Sequence, residues 1–325
     1  MRSLFVMDPL DKIVVSGDST YVTMRECTDR GYAVWMCTPD GLYTHQGRTR
    51  ARAKRVRTTA QPPHFHVEAS DDIDLGEVDV VWMRKDPPFD MHYIFTTYLL
   101  DMAPPETLVV NRPDGLKLYN EKMWVMAQWP ELQPETLLTN EMARLRAFVQ
   151  QGEGRSVLKP WDGNGGRGVL VTERGDRNLA SMVELLSGNG RDYVIAQRYI
   201  PEVSTGDKRI LLFGGEPVGV MLRVPDAGDH RANMHVGATV EACELSEHDR
   251  AICAAIGPHL QKWGMSFVGI DVIGRYLTEI NVTSPTGIQE MNRLYGKKLE
   301  SDLVDCVLQQ LDAHRANHDA PPEAP

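Results

Sequence analysis

Residues 269–281 have the sequence GIDVIGRYLTEIN, in which two apolar runs flank a turn-forming segment at residues 274–276. This pattern predicts a β-hairpin. Because side chains alternate along a strand, Glu279 and Asn281 share one face, and a three-residue turn would place Asp271 directly opposite Glu279. Oxygen ligands that converge among apolar neighbours are costly unless a cation neutralises them, so the segment predicts a Mg²⁺ site shared with phosphates. The alternative is a half-buried strand whose carboxylates point to water.

A glycine-rich segment at residues 163–168, GNGGRG, lies between two predicted strands, and Lys159 ends the first of them. The segment formally matches GxGxxG, but a dinucleotide-binding loop is followed by a helix rather than a strand. It also lacks the GK[ST] ending of a Walker A loop. We interpret it as a flexible hairpin that covers phosphates, with Lys159 beneath it. The alternative is an ordinary β-turn beside a solvent-exposed lysine.

Charged residues flank two further predicted strands. Asp207, Lys208 and Arg209 begin a predicted hairpin that Arg223 ends. Cations directed inward from these strands would stabilise phosphate and a developing oxyanion. The sequence MRKDPPFD at residues 83–90 follows directly from a predicted strand, at the edge where open α/β sheets bind ligands. The alternative is that the charged residues of the hairpin and the segment at residues 83–90 are ordinary surface residues without a role in binding.

The order of predicted elements indicates an α/β (α+β) chain. In the first third, strands alternate with helices, which predicts a parallel sheet covered by helices. The expected strands there are residues 4–7, 32–37, 78–83 and 107–110, and the expected helices are residues 19–30 and 116–128. Asp18 is the expected cap of the first helix, and Ser246 begins a later helix over residues 246–262.

Two segments lack this periodicity. Residues 225–240 are polar and contain Gly228, Arg231 and Gly237. We expect them to form a mobile lid over the site, because long loops without secondary structure are often functional. Residues 316–325 are rich in proline, alanine and glutamate, and we expect them to be disordered.

Composition and short motifs exclude several classes of function. The 325 residues carry a net charge of −10, which argues against nucleic acid or an anionic membrane as the main partner. Five cysteines without CxxC spacing predict neither a disulfide framework nor a zinc site, which favours a reducing, cytoplasmic compartment. The apolar run near the N-terminus is too short for a signal peptide, and no stretch reaches transmembrane length. Six cationic residues from Arg48 to Arg57 predict a solvated edge strand. We interpret His64 and His66 as part of a loop or edge strand rather than as a metal site.

Taken together, the motifs resemble the bacterial glutathione synthetase family of ATP-grasp ligases. The resemblance extends over residues 4–311. The sequences that carry it are MDP at residues 7–9, MRKDPPFD at 83–90, NEK at 120–122, LKP at 158–160 with the following glycine segment, GDKR at 206–209, and FVGID at 267–271 through TEINVTSPT at 278–286. Other ATP-grasp ligases share the lysines and the Glu-x-Asn motif, but not the combination of MRKDPPFD with TEINVTSPT.

The resemblance implies a role for each matching residue. Contacts to ATP would come from Lys122, Lys159, Gly163, Asn164, Gly165, Gly166, Gln197, Tyr199, Ile200 and Asp207. The metal, Mg²⁺ or Mn²⁺, would be held by Asp271, Glu279 and Asn281. Arg209 and Arg223 would face the reacting carboxylate. The substrates would lie near Asp18, Ser19, Arg84, Ser284, Pro285, Thr286 and Gly287.

The resemblance also implies the reaction and the organisation of the chain. The substrates would be γ-glutamylcysteine, glycine and ATP, and the assembly a homotetramer. An N-terminal α/β domain would span residues 1–120, followed by a lid subdomain at 121–200, a subdomain with the metal and ATP site at 201–315, and the tail. Two departures concern the fit of the acceptor amino acid: the family often has a cysteine where this chain has Gly287, and the glycine-rich family loop is altered at residues 231–239.

Overall fold

The computed structural model describes residues 1–163, 165–225 and 239–319. The strands in these ranges are β1 (Arg2–Val6), β2 (Ala33–Cys37), β3 (Leu42–His45), β4 (Arg48–Thr58), β5 (Phe65–Asp74), β6 (Val80–Met83), β7 (Leu108–Val110), β8 (Thr136–Thr139), β9 (Arg155–Pro160), β10 (Leu170–Glu173), β11 (Val194–Arg198), β12 (Asp207–Phe213), β13 (Glu216–Val224), β14 (Thr239–Glu241), β15 (Phe267–Ile273) and β16 (Tyr276–Asn281). The helices are α1 (Ser19–Asp29), α2 (Met91–Asp101), α3 (Pro113–Leu118), α4 (Met123–Gln128), α5 (Met142–Gln151), α6 (Leu179–Ser187), α7 (Glu247–Lys262), α8 (Ile288–Tyr295) and α9 (Leu299–Asp319).

The first sheet contains β1 to β7 in the order β3-β4-β2-β1-β6-β7, with β5 paired to β4. The four strands β2, β1, β6 and β7 are parallel, as the alternation of strands and helices predicted. Strands β3, β4 and β5 add an antiparallel extension. Asp18 caps α1 by accepting a hydrogen bond from the backbone N–H of Tyr21, which confirms the predicted helix start.

The basic run lies in β4, and the prediction that it forms an edge strand is wrong. Strand β4 pairs with β2 and β3 on one side and with β5 on the other, so β5 is the edge. Acidic residues of β5 compensate the cations, because Arg50 pairs with both Asp72 and Asp74. His66 lies in this edge strand, as expected.

Two other expectations about helices are wrong. The single helix expected over residues 116–128 is divided into α3 and α4, because the Asn120 side chain accepts hydrogen bonds from the backbone N–H groups of Lys122 and Met123. An asparagine that bonds its own neighbouring backbone competes with a continuous helix. The expected disorder from residue 316 is also wrong as far as Asp319, where α9 ends. The last six residues lie outside the described ranges.

The second sheet, β10-β9-β11-β8, is antiparallel and has a small apolar core of its own. Its buried residues come from both helices and strands of this region, for example Leu145 and Val183 from α5 and α6, and Leu158 and Val194 from β9 and β11. A separate core lets this unit hold the glycine-rich segment at its β9–β10 connection independently of the other sheets.

The third sheet, β14-β13-β12-β15-β16, packs against the first sheet. Two large apolar cores each combine residues of both sheets, such as Leu4 with Ile210 and Phe5 with Leu211. Asn111, just after β7, completes the junction: its amide nitrogen donates to the carbonyl oxygens of Phe267 and Val282 at 2.8 Å, and its oxygen accepts from the N–H of Phe267. The ends of β7, β15 and β16 are therefore held together. Within the described ranges, no helix has the length and apolar character needed to cross a membrane.

Candidate active site

A cleft with about 880 Å³ of open space lies between the second and third sheets. Its walls are contributed by β9, β11, β12, β15 and β16, by the glycine-rich segment, and by Lys122 from the α3–α4 break. The lining residues predicted from the sequence are Lys122, Lys159, Gly163, Gly166, Gln197, Tyr199, Ile200, Asp207, Asp271 and Glu279. Lys122 and Glu279, which are 157 positions apart in the chain, therefore line the same cavity.

Two buried lysines enter this cleft. Lys159 is 8% exposed, and its ammonium group lies 3.4 Å from the Gln197 side-chain oxygen. Lys122 is 6% exposed; it donates to the carbonyl oxygen of Gly163 and lies 3.5 Å from the Glu279 carboxylate. Burial lowers the pKa of Lys159 to about 8, although the nearby Glu279 carboxylate opposes that effect. Unlike the predicted alternative, Lys159 is not a solvent-exposed lysine.

The β15–β16 hairpin places Asp271 directly opposite Glu279, which confirms the predicted register. The predicted three-residue turn is wrong. Ile273 pairs with Tyr276, which leaves two residues in the turn, and a bulge between Asp271 and Val272 restores the register. Bulges re-aim strand side chains, so this one contributes to the orientation of the carboxylates.

Asp271 belongs to a network of four buried charges, with Asp207, Arg209 and Arg223. Arg209 donates to both of its oxygens, at 2.5 and 2.9 Å, and Arg223 lies 3.0 Å from one of them. Arg223 also donates to Asp207 at 2.5 Å. Although burial alone would raise it, the pKa of Asp271 is lowered by the two guanidinium groups, whereas burial raises the pKa of Asp207. Each carboxylate thus has a cation as partner, as buried charges require.

The residues present fit a divalent cation bound together with phosphates. Asp271, Glu279 and Asn281 offer only hard oxygen ligands, and the Asn281 amide lies 3.3 Å from Asp271. Three protein ligands are typical of a cation that completes its shell with phosphate and water. The described residues contain no group of three or more His, Cys, Asp or Glu side chains suited to a metal, so three protein ligands at this position would have to include the amide of Asn281.

The predicted substrate residues gather at the junction between the first and third sheets. Arg84 is 5% exposed; it donates to the Thr20 hydroxyl at 3.0 Å and to the Pro285 carbonyl at 2.9 Å. The Ser19 hydroxyl accepts from the N–H of Ile288 at 3.4 Å. The backbone carbonyl of Asp18 accepts from Gln289 at 2.8 Å. The start of α1 is therefore held against the segment that contains Ser284, Pro285, Thr286 and Gly287.

Gly287, which replaces a residue that is often cysteine in the resembled family, precedes α8 with a φ of 126°. Side chains of L-amino acids rarely adopt this φ. A Cβ atom at this position would also lie 3.1 Å from the Met221 side chain. Glycine thus suits the local backbone of this loop.

Some predicted residues fall outside the cleft or outside the described ranges. Gly165 does not line the cavity, although the adjacent Gly166 does. Asn164 and most of the expected lid, residues 226–238, lie outside the described ranges; residues 239–241 form β14 rather than loop. Sequence reasoning missed the apolar walls of the cleft, among them Val157, Val203 and Ile273. Aliphatic residues in strands carry no signal that separates a ligand wall from ordinary core.

Comparisons with known proteins agree with this architecture. The family model for the prokaryotic glutathione synthetase N-terminal domain matches residues 1–117, and that for the ATP-grasp domain of the same family matches residues 121–296. The glutathione synthetase of Gloeobacter violaceus is 42% identical over 316 residues, covering 95% of this chain and 97% of that protein. The glutathione synthetase of Brucella melitensis is 44% identical over 302 residues, covering 93% and 96%.

Solved structures extend the likeness in fold to more distant ligases. The D-cycloserine synthetase DcsG superposes with a TM-score of 0.67 at 14% identity, covering 95% of this chain and 99% of that one. The ATP-grasp ligase PsnB, complexed with a precursor variant, Mg and ADP, superposes with a TM-score of 0.63 at 17% identity, covering 95% and 98%. At these identities the likeness concerns the fold.

The fold and the cleft between its two ATP-grasp sheets define this chain as an ATP-grasp enzyme, an ATP-dependent ligase that forms a peptide bond. Its reaction uses ATP and a divalent metal ion. Within that class, the chain belongs to the prokaryotic glutathione synthetase family.

Proposed function

We propose that this chain joins γ-glutamylcysteine to glycine, with conversion of ATP to ADP and phosphate. The cysteinyl carboxylate would take the terminal phosphoryl group of ATP, and the glycine amine would then attack the acyl phosphate and release phosphate. The observation that carries this proposal is the convergence of two buried lysines with the opposed carboxylates Asp271 and Glu279 on one cleft. Phosphoryl transfer depends mainly on such positioning and charge neutralisation.

Lys122 and Lys159 are our candidates for the phosphate contacts. Both are buried on the floor of the cleft, and Gly163 and Gly166 border it from above. Gln197, Tyr199 and Ile200 lie at the end of β11 with apolar neighbours, which suits a planar base. Asp207 has a buried carboxylate oxygen without a hydrogen-bond partner in the described structure, and it is our candidate acceptor for a ribose hydroxyl.

The divalent cation would neutralise charge on the phosphoryl group, and we propose Mg²⁺ as that cation because its ligands here are exclusively oxygen. Asp271, Glu279 and Asn281 would hold it. Mn²⁺ accepts the same ligand types and would be expected to substitute.

The arginines of the charge network would serve the reacting carboxylate. Arg209 and Arg223 hold Asp271 ionised, and the Nε atom of Arg223 is a buried donor without a partner in the described structure. We propose that this donor is available to an oxygen of the substrate or of the tetrahedral intermediate. Arg84 forms no ion pair within 4 Å among the described residues, so we propose that it receives a carboxylate of γ-glutamylcysteine beside Ser284, Pro285, Thr286 and Gly287, with Asp18 and Ser19 opposite.

ATP affinity should depend on pH through Lys159. Below a pH of about 8 its ammonium group is already charged, whereas above that pH it must take up a proton when phosphate binds. We therefore expect ATP affinity to fall about fivefold between pH 8 and pH 9, and by close to tenfold for each further pH unit, because the protonated fraction of Lys159 decreases in that way above its pKa. Calorimetry in two buffers of different ionisation enthalpy measures both the affinity and the proton uptake. Lys159→Arg, which does not titrate in this range, is the matched control, and an equal pH dependence in both proteins would contradict the assignment.

Mass spectrometry of the products tests the reaction itself. Purified protein is incubated with ATP, γ-glutamylcysteine and a panel of amino acids, in parallel with Mg²⁺ and Mn²⁺. We expect glutathione from glycine, with one phosphate released for each peptide bond. The panel is needed because residues 231–239 differ from the resembled family. Ligation to another amine alone would indicate a different ATP-grasp ligase, and ATP binding without phosphate release would indicate a non-catalytic nucleotide-binding protein.

Three further properties are part of the proposal. We propose the division into residues 1–120, 121–200 and 201–315, a cytoplasmic location, and a homotetrameric assembly. The five cysteines are all free thiols, which supports a reducing compartment. Light scattering of the purified protein measures the assembly directly.

A further inference from the structure

The segment that separates α3 from α4 is bonded to the end of β16 by one residue, Glu121. Its carboxylate oxygen Oε1 accepts three hydrogen bonds: from the N–H of Val282 at 3.2 Å, from the N–H of Thr283 at 3.3 Å, and from the Thr283 hydroxyl at 2.9 Å. Its backbone carbonyl accepts a fourth, from the N–H of Ile280 at 2.9 Å. Glu121 therefore contacts the residues on both sides of Asn281.

The neighbour of Glu121 in the chain extends this connection into the cleft. Lys122 reaches from the same segment to the Glu279 carboxylate, 3.5 Å away. One short segment thus supplies a candidate phosphate lysine and also holds the strand that carries two candidate metal ligands. Among the ion pairs of the described residues, none includes Glu121, so its carboxylate is used to hold backbone rather than to pair with a cation.

We propose that Glu121 is a positioning residue: its carboxylate locks the Glu279–Asn281 strand end to the Lys122 segment, so that phosphate and metal contacts form in one geometry. This inference rests on the proposed function of the cleft. Three hydrogen bonds to one carboxylate oxygen and a fourth to the backbone carbonyl oppose displacement of the strand end, because breaking them would leave buried polar groups unpaired. A displacement of about 1 Å at such a site lowers rates by orders of magnitude.

Glu121→Ala tests the proposal, because it removes the carboxylate acceptor without changing the side chains of Lys122, Glu279 and Asn281. We expect the Mg²⁺ concentration for half-maximal activity to rise at least tenfold and kcat to fall ten- to a hundredfold. Glu121→Gln retains an oxygen acceptor and should remain within about threefold of the wild type in both quantities. Equal damage in the two variants, or an unchanged Mg²⁺ requirement in Glu121→Ala, would overturn the proposal.

A second readout does not depend on turnover. Amide hydrogen exchange at Val282 and Thr283 should accelerate at least tenfold in Glu121→Ala and stay near the wild-type rate in Glu121→Gln. Glu300→Ala is the matched control: Glu300, in α9, is a buried carboxylate that accepts from Asn292 of α8 at 2.5 Å. The Glu300→Ala control should lower thermal stability without changing the Mg²⁺ requirement. If it raised the Mg²⁺ requirement as much as Glu121→Ala does, the effect of Glu121→Ala would follow from lost stability alone, and the proposal would be overturned.

Thr283→Val provides the test if Glu121→Ala does not fold. It removes one of the three bonds to Oε1 and keeps the shape of the side chain, so a shift of about threefold in the Mg²⁺ requirement is expected; no shift would contradict the proposal. The two hypotheses fail separately. If the wild-type protein makes no glutathione, the proposed function is wrong, whereas an active wild type with an unaffected Glu121→Ala variant refutes only the positioning role.

Discussion

Glu279→Gln should lower the rate of glutathione formation at least a thousandfold while leaving the fold intact. The substitution keeps the size of the side chain but removes the negative charge of a proposed metal ligand opposite Asp271, which is also the charge partner of Lys122. Stabilisation of phosphoryl charge by a bound metal is worth several kcal/mol, and about 4 kcal/mol corresponds to a thousandfold in rate. The measurement is steady-state phosphate release with both substrates at saturating Mg²⁺, alongside circular dichroism to verify the fold.

Two further variants define how that result is interpreted. Asn281→Ala, on the same strand face, should lose nearly as much activity because it removes the proposed neutral ligand of the same metal. Glu216→Gln, at the exposed start of β13 in the same sheet, should retain full activity. Near-normal turnover of both Glu279→Gln and Asn281→Ala at ordinary Mg²⁺ concentrations would disprove the metal assignment.

Arg223→Leu should lower the free energy of unfolding by about 3–5 kcal/mol and abolish activity. Arg223 is 2% exposed and bonds both Asp207 and Asp271, so its removal leaves buried carboxylates with too little compensation. Unpaired buried carboxylates have folded-state pKa values above their unfolded values, so the loss of stability grows as pH rises above about 4. The deficit measured by urea unfolding should therefore be smaller at pH 5 than at pH 7.

An exposed ion pair provides the comparison for this result. Arg144 pairs with Glu141 on α5, with 67% and 60% of the two side chains exposed, so Arg144→Leu should change stability by less than about 1 kcal/mol. If Arg223→Leu lost no more stability than Arg144→Leu, the buried charge network would not make the contribution to stability that its burial and contacts predict. A deficit independent of pH would instead point to lost packing rather than to uncompensated charge.

Sequence reasoning succeeded where a pattern repeats over a few residues. The opposition of Asp271 and Glu279 was predicted because strand side chains alternate and the hairpin is local. The same reasoning gave the wrong turn length, because nothing in the amino-acid sequence of this segment distinguishes a three-residue turn from a two-residue turn followed by a bulge. Both arrangements give the same register, so the pairing of Asp271 with Glu279 was predicted correctly through a wrong local geometry.

Two features of the fold depend on contacts between segments that are distant in the sequence. The basic run of β4 has the alternation of an exposed edge strand, but pairing with the acidic strand β5 places it inside the sheet. The helical pattern of residues 116–128 continues across Asn120, yet the helix is interrupted there. In the interruption, Glu121 accepts a hydrogen bond from the N–H of Val282, 161 residues later in the chain. Neither the central position of β4 nor the interruption of the helix can be predicted from the hydrophobic periodicity of its own segment.

The sequence by itself determined the strand and helix pattern, the glycine-rich connection and the set of chemically competent residues, because these depend on side-chain alternation, turn chemistry and residue type within short windows. Only the tertiary structure decided which of those residues meet. Lys159 comes from the second sheet, Lys122 from the segment between α3 and α4, and the carboxylates from the third sheet. Arg84 reaches Pro285 across 201 positions of the chain. Contacts between segments so far apart form when apolar faces pack into common cores, and the geometry of that packing is not encoded in any single stretch of residues.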